Sequence, residues 1–203
     1  MKKRILTIAL CAVLVLASAC SKAAPAYKKG SVNGAHFESE YLNLQFTAPE
    51  GYTMQTEEQL LEFIDFGAEF IDGIDVNLDY TKATTVDEMV VSEPAGLPNL
   101  SLMVEKLPLS SMTEEAYIKQ LKEMLPQASS SMTFTFADEL TTVEIAGKSY
   151  QKLSVVTEAY GMEMLQDYLF HKSGNRMIGF IVTYSAETTQ EMQDLLDLFA
   201  SLA

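Results

Sequence analysis

The chain has 203 residues, 48% of them hydrophobic, and sets 14 Lys and Arg against 28 Asp and Glu for a formal net charge of −14. A chain this acidic is repelled by the phosphates of nucleic acid, which removes nucleic acid from its partners. Its two cysteines, Cys11 and Cys20, both fall in the first 20 residues and exclude a disulfide framework or a cysteine metal site in the body.

The first element is an export signal. Basic Lys2, Lys3 and Arg4 precede an uncharged apolar run from Ile5 to Leu16, and Ala17-Ser18-Ala19 stands directly before Cys20. The run is shorter than the ~20 residues that span a bilayer as a helix. Residues 1–19 are expected to be a lipoprotein signal peptide cleaved between Ala19 and Cys20. Cys20 then gains a thioether-linked diacylglycerol and an N-acyl chain, and two or more chains anchor stably at about 0.8 kcal/mol per buried CH₂. The protein is thereby placed on the outer face of the cell membrane. Ala17-x-Ala19 also suits the general signal peptidase, which would release a soluble protein from the same bond, but a cysteine at that bond favours lipidation.

Residues 20–36 read as the lipidated cysteine and a flexible basic stalk. Lys22, Lys28 and Lys29 lie among Ala, Ser, Gly and Pro25, with no acid and no apolar periodicity. From Phe37 onward 8 Lys or Arg face 28 Asp or Glu, a net of −20. The stalk is drawn to anionic headgroups at about 1 kcal/mol per charge while the body is repelled. The expectation is a globule held off the membrane, with residues 37–203 forming a single domain.

That domain opens with a half-buried strand over Tyr41 to Ala48, where Leu42, Leu44 and Phe46 alternate with polar residues before Pro49-Glu50-Gly51. Thr56-x-x-Gln59 is a capping box, and Leu60, Ile64, Ala68 and Ile71 continue at helical spacing to about Asp72. Residues 74–85 are ambiguous. Val86 to Ser92 and Asn99 to Leu107 flank a Pro94-Ala95-Gly96-Leu97-Pro98 turn as a β-hairpin. Ser111-x-x-Glu114 is a second capping box, opening a helix that Pro126 is expected to end. Strands follow at about 132–136, 140–145, 149–159, 163–172 and 176–184, joined by turns at Gly147, Gly161 and Ser173-Gly174-Asn175. Met192, Leu195, Leu196, Phe199 and Leu202 then define a closing amphipathic helix. Short turns pair strands antiparallel, and apolar helix stripes need a sheet to cover. The expected class is α+β: an antiparallel β-sheet flanked by about three helices.

The lipobox, Tyr41 to Ala48 running into Pro49-Glu50-Gly51-Tyr52, the Gly147-Lys148-x-Tyr150 hairpin, the long meander and the final helix together resemble the PsbP-like extracytoplasmic lipoproteins of Gram-positive bacteria. The resemblance spans most of residues 37–203 and rests on structural motifs. It implies an antiparallel sheet with helices packed on it. It also implies binding and assembly roles more often than catalysis, since the family includes photosystem-associated proteins and a Ran-binding import factor. The histidines proposed as metal sites in photosynthetic members have no match here.

Few constellations carry chemistry. Ser149-x-x-Lys152, Lys172-Ser173-Gly174 and Ser31-x-Asn33 imitate the motifs of serine β-lactamases. That chemistry needs Ser and Lys one helical turn apart, whereas a strand puts residues three apart on opposite faces. Asp75-x-Asn77-x-Asp79 imitates the start of a calcium loop but has Tyr80 and Val86 where Gly and Glu are required. Asp72, Asp75 and Asp79 remain candidates for a loose divalent site, against the plainer reading of a solvated acidic loop. Met162-x-Met164 places two soft thioethers on one strand face, which suits Cu(I), although filling core space is the plainer role. His36 and His171 have no second ligand at metal spacing and read as surface or strand-edge residues.

No G-x-S-x-G, H-E-x-x-H or Gly-rich phosphate loop is present, so hydrolase, zincin and nucleotide-dependent classes lose support. The expectation is a non-enzymatic, lipid-anchored surface lipoprotein that needs no cofactor, meets the membrane through Cys20 and docks an unknown envelope protein. The alternative is a lipoprotein holding a small molecule or divalent cation in a cleft between sheet and helices, with Phe63, Phe66 and Phe70 as apolar lining. The plainer reading of those three is ordinary core packing.

Overall fold

The computed structural model describes residues 26–56, 59, 85–128, 132–159 and 161–202. In chain order these form β1 (Ser31–Asn33), β2 (His36–Ser39), β3 (Leu44–Thr47), β4 (Thr53–Met54), β5 (Thr85–Ser92), β6 (Asn99–Lys106), α1 (Glu114–Ala128), β7 (Met132–Phe136), β8 (Thr141–Ile145), β9 (Lys148–Ala159), β10 (Met162–Ser173), β11 (Arg176–Tyr184), a 3₁₀ turn at Ala186–Thr188 and α2 (Thr189–Asp197). Every strand pairing among the described residues is antiparallel. The large sheet runs β4-β5-β6-β11-β10-β9-β7, with β8 also on β9, and a small sheet runs β1-β2-β3.

Period-two alternation makes the large sheet apolar on both sides. One face presents Leu100, Leu102, Leu169, Ile178, Phe180 and Val182 to Phe37, Leu44 and Phe46 of the small sheet and to Met192, Leu195 and Leu196 of α2. Phe199 stacks on Phe46 at 4.5 Å and meets Phe180 edge-on at 4.9 Å, joining the layers. The other face presents Leu153, Val155, Phe170 and Met177, which α1 covers with Ile118, Tyr117, Leu121 and Leu125. Tyr117 meets Phe170 edge-on at 4.8 Å, and its hydroxyl donates to Glu105.

The antiparallel sheets and flanking helices match the expected class, and two α-helices stand among the described residues. Most of the helix expected from Thr56 to Asp72 lies outside them. Its capping box is formed all the same: Thr56 N donates to Gln59 Oε1 at 2.9 Å, and Gln59 N donates to Thr56 Oγ1 at 3.3 Å. Among the described residues no helix is long and apolar enough to cross a membrane.

Several boundaries differ from the sequence expectation. α1 is capped by Thr113, whose Oγ1 accepts from Ala116 N at 3.2 Å, and not by Ser111. Pro126 sits inside α1, in its last turn, where the N–H it lacks costs one hydrogen bond and not a ladder. α2 stops at Asp197 because Ala200 leaves it for a bridge with Gln45, with N···O distances of 2.8 and 3.0 Å. Leu202 is therefore not helical. The first strand shortens to Leu44–Thr47, since Glu40 to Asn43 form a turn with Asn43 at φ 49°.

The stalk expectation changes most. Residues 31–33 form β1 against β2, and the chain is already fixed to the body at Tyr27.

Candidate functional site

Three places on the described surface bring polar chemistry together. The first lies where the N-terminal strap crosses β5. A register shift between Asp87 and Met89 turns Glu88 inward, where it is 1% exposed. Tyr27 Oη donates to Glu88 Oε1 at 2.5 Å, and Gly30 N donates to Oε2 at 2.7 Å. The Arg176 guanidinium lies 4.0 Å over the Tyr27 ring, and Tyr41 meets that ring edge-on at 5.1 Å. Burial raises the Glu88 carboxyl above its ordinary range, opposed by the Tyr27 and Gly30 hydrogen bonds and by the charges of Lys29 and Arg176. Burial and the adjacent Glu88 charge push the Tyr27 hydroxyl well up, so it remains a donor. Gly30 is required there: a Cβ would lie 2.6 Å from Phe37 Cε2 and 2.8 Å from Glu38 O.

The second place is the middle of β9 and β10. Asp167, 1% exposed, accepts from Ser154 Oγ at 2.5 Å, Lys152 Nζ at 3.2 Å and Tyr184 Oη at 3.2 Å. Burial first, then Asp167, pushes the Tyr184 hydroxyl up to about 12. Asp167, Ser154 and Tyr184 line a shallow hollow of about 190 Å³ with Leu165 and Phe136. The third is an open hollow of about 510 Å³ at the start of α1, lined by Thr113, Glu114, Glu115, Ser149, Gln151 and His171. Glu114 Oε1 accepts from Lys172 N at 2.9 Å, and His171 Nδ1 lies 3.0 Å from Ser149 O.

The candidates from sequence distribute unevenly over these places. Ala19, Cys20, Phe63, Phe66, Phe70, Asp72, Asp75 and Asp79 lie outside the described residues. Lys152 is held by Asp167 on one face of β9, and alternation sends Ser149 to the other, so the β-lactamase pair does not meet. His36 Nδ1 lies 3.0 Å from Thr47 Oγ1, its partner in the β2–β3 register, in an exposed contact. Among the described residues no three His, Cys, Asp or Glu side chains group as metal ligands.

Met162 is 62% exposed and so does not fill the core. It lies opposite Ala159, and Ala159 lies opposite Met132, which is 38% exposed. The two methionines therefore flank a small residue on one face at the end of the sheet where β9 turns into β10. Sequence reasoning missed Glu88 and Asp167 because both sit in ordinary strand patterns. Only the β5 bulge and the β9–β10 register reveal their partners.

No protein-family model and no curated protein sequence matches the chain. Among solved structures, the solution structure of the cyanobacterial PsbP protein CyanoP from Synechocystis sp. PCC 6803 aligns at TM-score 0.53 and 10% identity, over 88% of this chain and 98% of that one. A protein of Bacteroides thetaiotaomicron VPI-5482 aligns at TM-score 0.46 and 13% identity, over 85% of this chain and 50% of its own. LpqN of Mycobacterium tuberculosis, described as involved in cell envelope biogenesis, aligns at 0.43 and 8%, over 79% and 83%. The first alignment shows that the fold is PsbP-like.

Proposed function

We propose that the protein is a non-enzymatic lipoprotein of a Gram-positive envelope, anchored by lipid on Cys20 after cleavage at Ala19, whose domain docks a protein partner outside the membrane. The observation that carries the docking reading is the methionine row at the β9–β10 end. Met132 and Met162 stand open to solvent on either side of Ala159, which is only 5% exposed. Flexible, polarisable thioethers in the open form a surface that repacks against a partner. The reading is also supported by the two buried carboxylates, Glu88 and Asp167, each engaged by groups that hold strands or strap together. The PsbP-like fold is compatible with an assembly role, by analogy alone.

The test places a photo-crosslinking residue at Met162, at Met132 and, as a control, at exposed Glu144 on β8 of the full chain in intact cells. The expected result is one discrete adduct from both methionine positions and none from Glu144. Equal adducts from all three would sink the docking surface. Cys20→Ala should move the protein from membrane to supernatant, and a variant that stayed on the membrane would overturn the anchor.

A second reading has its own observation. The 510 Å³ hollow exceeds the ~300 Å³ at which small-molecule sites begin, and Glu114, Glu115 and His171 suit a cationic ligand. Native mass spectrometry of the full chain from source cells should then show a stoichiometric small-mass adduct that Glu115→Gln removes.

A further inference from the structure

We infer that the strap seats the body directly against an anionic lipid surface by the end of the sheet that carries the Gly174–Asn175 turn, so that the methionine row faces away from the membrane. This rests on the lipid anchor proposed above and differs from the expectation of a globule held off the membrane by a flexible basic stalk.

The argument begins with length. The strap is fixed from Tyr27 by its hydroxyl on Glu88 and its ring between Tyr41 and Arg176, then by Gly30 N on Glu88 and by β1 on β2. Between the lipid-bearing Cys20 and docked Tyr27 the chain has only seven Cα steps. Covalent geometry limits their reach to about 25 Å. A domain of this size has a diameter of roughly 40 Å. The tether is shorter than the body it holds, so the side where the strap docks stays nearest the lipid.

Topology fixes which end that is. Arg176, over the Tyr27 ring, opens β11 and pairs with Ser173, the last residue of β10. The Lys148 ammonium donates to Leu42 O, and Ser201 Oγ donates to Ala146 O at 3.0 Å, which brings the 40–43 turn, the Ala146–Gly147 turn and the chain's last residues to the same end. Met162 begins β10 at the opposite end. Eleven residues of strand at ~3.3 Å each separate the two ends by about 36 Å.

Charge acts in the same direction. Residues 26–40 balance Lys28 and Lys29 against Glu38 and Glu40, whereas residues 41–203 carry 8 Lys or Arg against 26 Asp or Glu, a net of −18. Lys148, Lys172 and Arg176 stand at the strap end beside Glu114 and Glu115, so an anionic surface repels that end less than it repels the body as a whole.

The test uses the full lipidated protein in nanodiscs of phosphatidylglycerol and phosphatidylethanolamine carrying a small fraction of headgroup-nitroxide lipid, with amide relaxation read along β10. Enhancement should be several-fold greater at Ser31, Ser173 and Gly174 than at Gly161 and Met162. Inserting thirty Gly and Ser residues between Ala24 and Pro25 leaves the docked strap untouched, and it should bring the two ends toward equal enhancement. Tyr27→Ala should do the same by freeing the strap. Protein that fails to co-elute with the nanodiscs would overturn the anchor itself. Protein that co-elutes with equal enhancement at both ends, or with a gradient that the insertion leaves unchanged, would overturn the orientation while leaving the anchor standing.

Discussion

Lys152 reaches Asp167 diagonally: its Nζ lies 3.2 Å from Asp167 Oδ2, although in register Lys152 faces Leu169 and Asp167 faces Ser154. The Asp167 side chain is 2% exposed and that of Lys152 27%, so the acid is the member that depends on its partners. Removing one partner of a buried pair strands the other charge. Lys152→Met should therefore destabilise the fold by about 3 kcal/mol, the low end for a buried pair, because Ser154 and Tyr184 still donate to the carboxylate. Urea unfolding measures it, and a loss below about 1 kcal/mol would show a pair no stronger than a surface one.

Glu88 gives a pH dependence of opposite sign to most carboxylates. Its folded pKa is raised from the ordinary 4.5 mainly by burial. Between the unfolded and folded values the folded state binds the extra proton, so this group's contribution to stability is fully present below 4.5 and is lost as pH rises through the folded pKa. A glutamine at 88 accepts from Gly30 N and donates to the Tyr27 oxygen without the charge. The stability of wild type minus that of Glu88→Gln should fall with rising pH across that window and then level off. Urea unfolding of both proteins from pH 4 to 8 checks this, and a flat difference would mean that Glu88 titrates normally.

Much of the fold follows from the sequence because a period of two or of 3.6 is a local signal. The hairpin of β5 and β6, the meander of β9 to β11 and the apolar stripe Met192, Leu195, Leu196 all come from such periods. The strap was illegible for a physical reason. Its hold depends on three single side chains, Tyr27, Glu88 and Arg176, separated by up to 149 positions, and on one glycine that leaves room for backbone contact. A segment rich in Lys, Gly and Ala reads as linker whenever its partners lie that far along the chain. The methionine row was half legible: Met162-x-Met164 was visible as one strand face, but Met132 joins it only through Ala159.

Gly30→Ala tests the strap without touching its charges. The new methyl group would meet Phe37, Glu38 O and Glu88 Oε2, and the backbone oxygen cannot retreat without disturbing the β1–β2 pairing, in which Glu38 lies opposite Ser31. Overpacking of this kind costs about 1–3 kcal/mol, which is enough to loosen a segment held by few contacts. Trypsin should cut the variant after Lys28 or Lys29 much faster than wild type, while the body from β2 onward survives. Equal cleavage rates would show that the strap is equally open in both proteins.

The acidic pair at the far end of the sheet separates folding from function. Glu158 and Glu163 lie directly opposite each other on β9 and β10, both exposed, on the face away from Met132 and Met162. Like charges in register are destabilising, and reversing one makes an opposite-charge pair worth roughly 0.2–1 kcal/mol. Glu163→Lys should therefore raise stability by about 0.5 kcal/mol in low salt, with most of the gain lost near 1 M salt, where the Debye length shrinks to about 3 Å. If the methionine end docks a partner that also reads this acidic edge, the same variant should weaken crosslinking at Met162 even as the fold becomes firmer. A variant more stable and equally well crosslinked would restrict the docking surface to the methionine face, with the carboxylates serving only solubility.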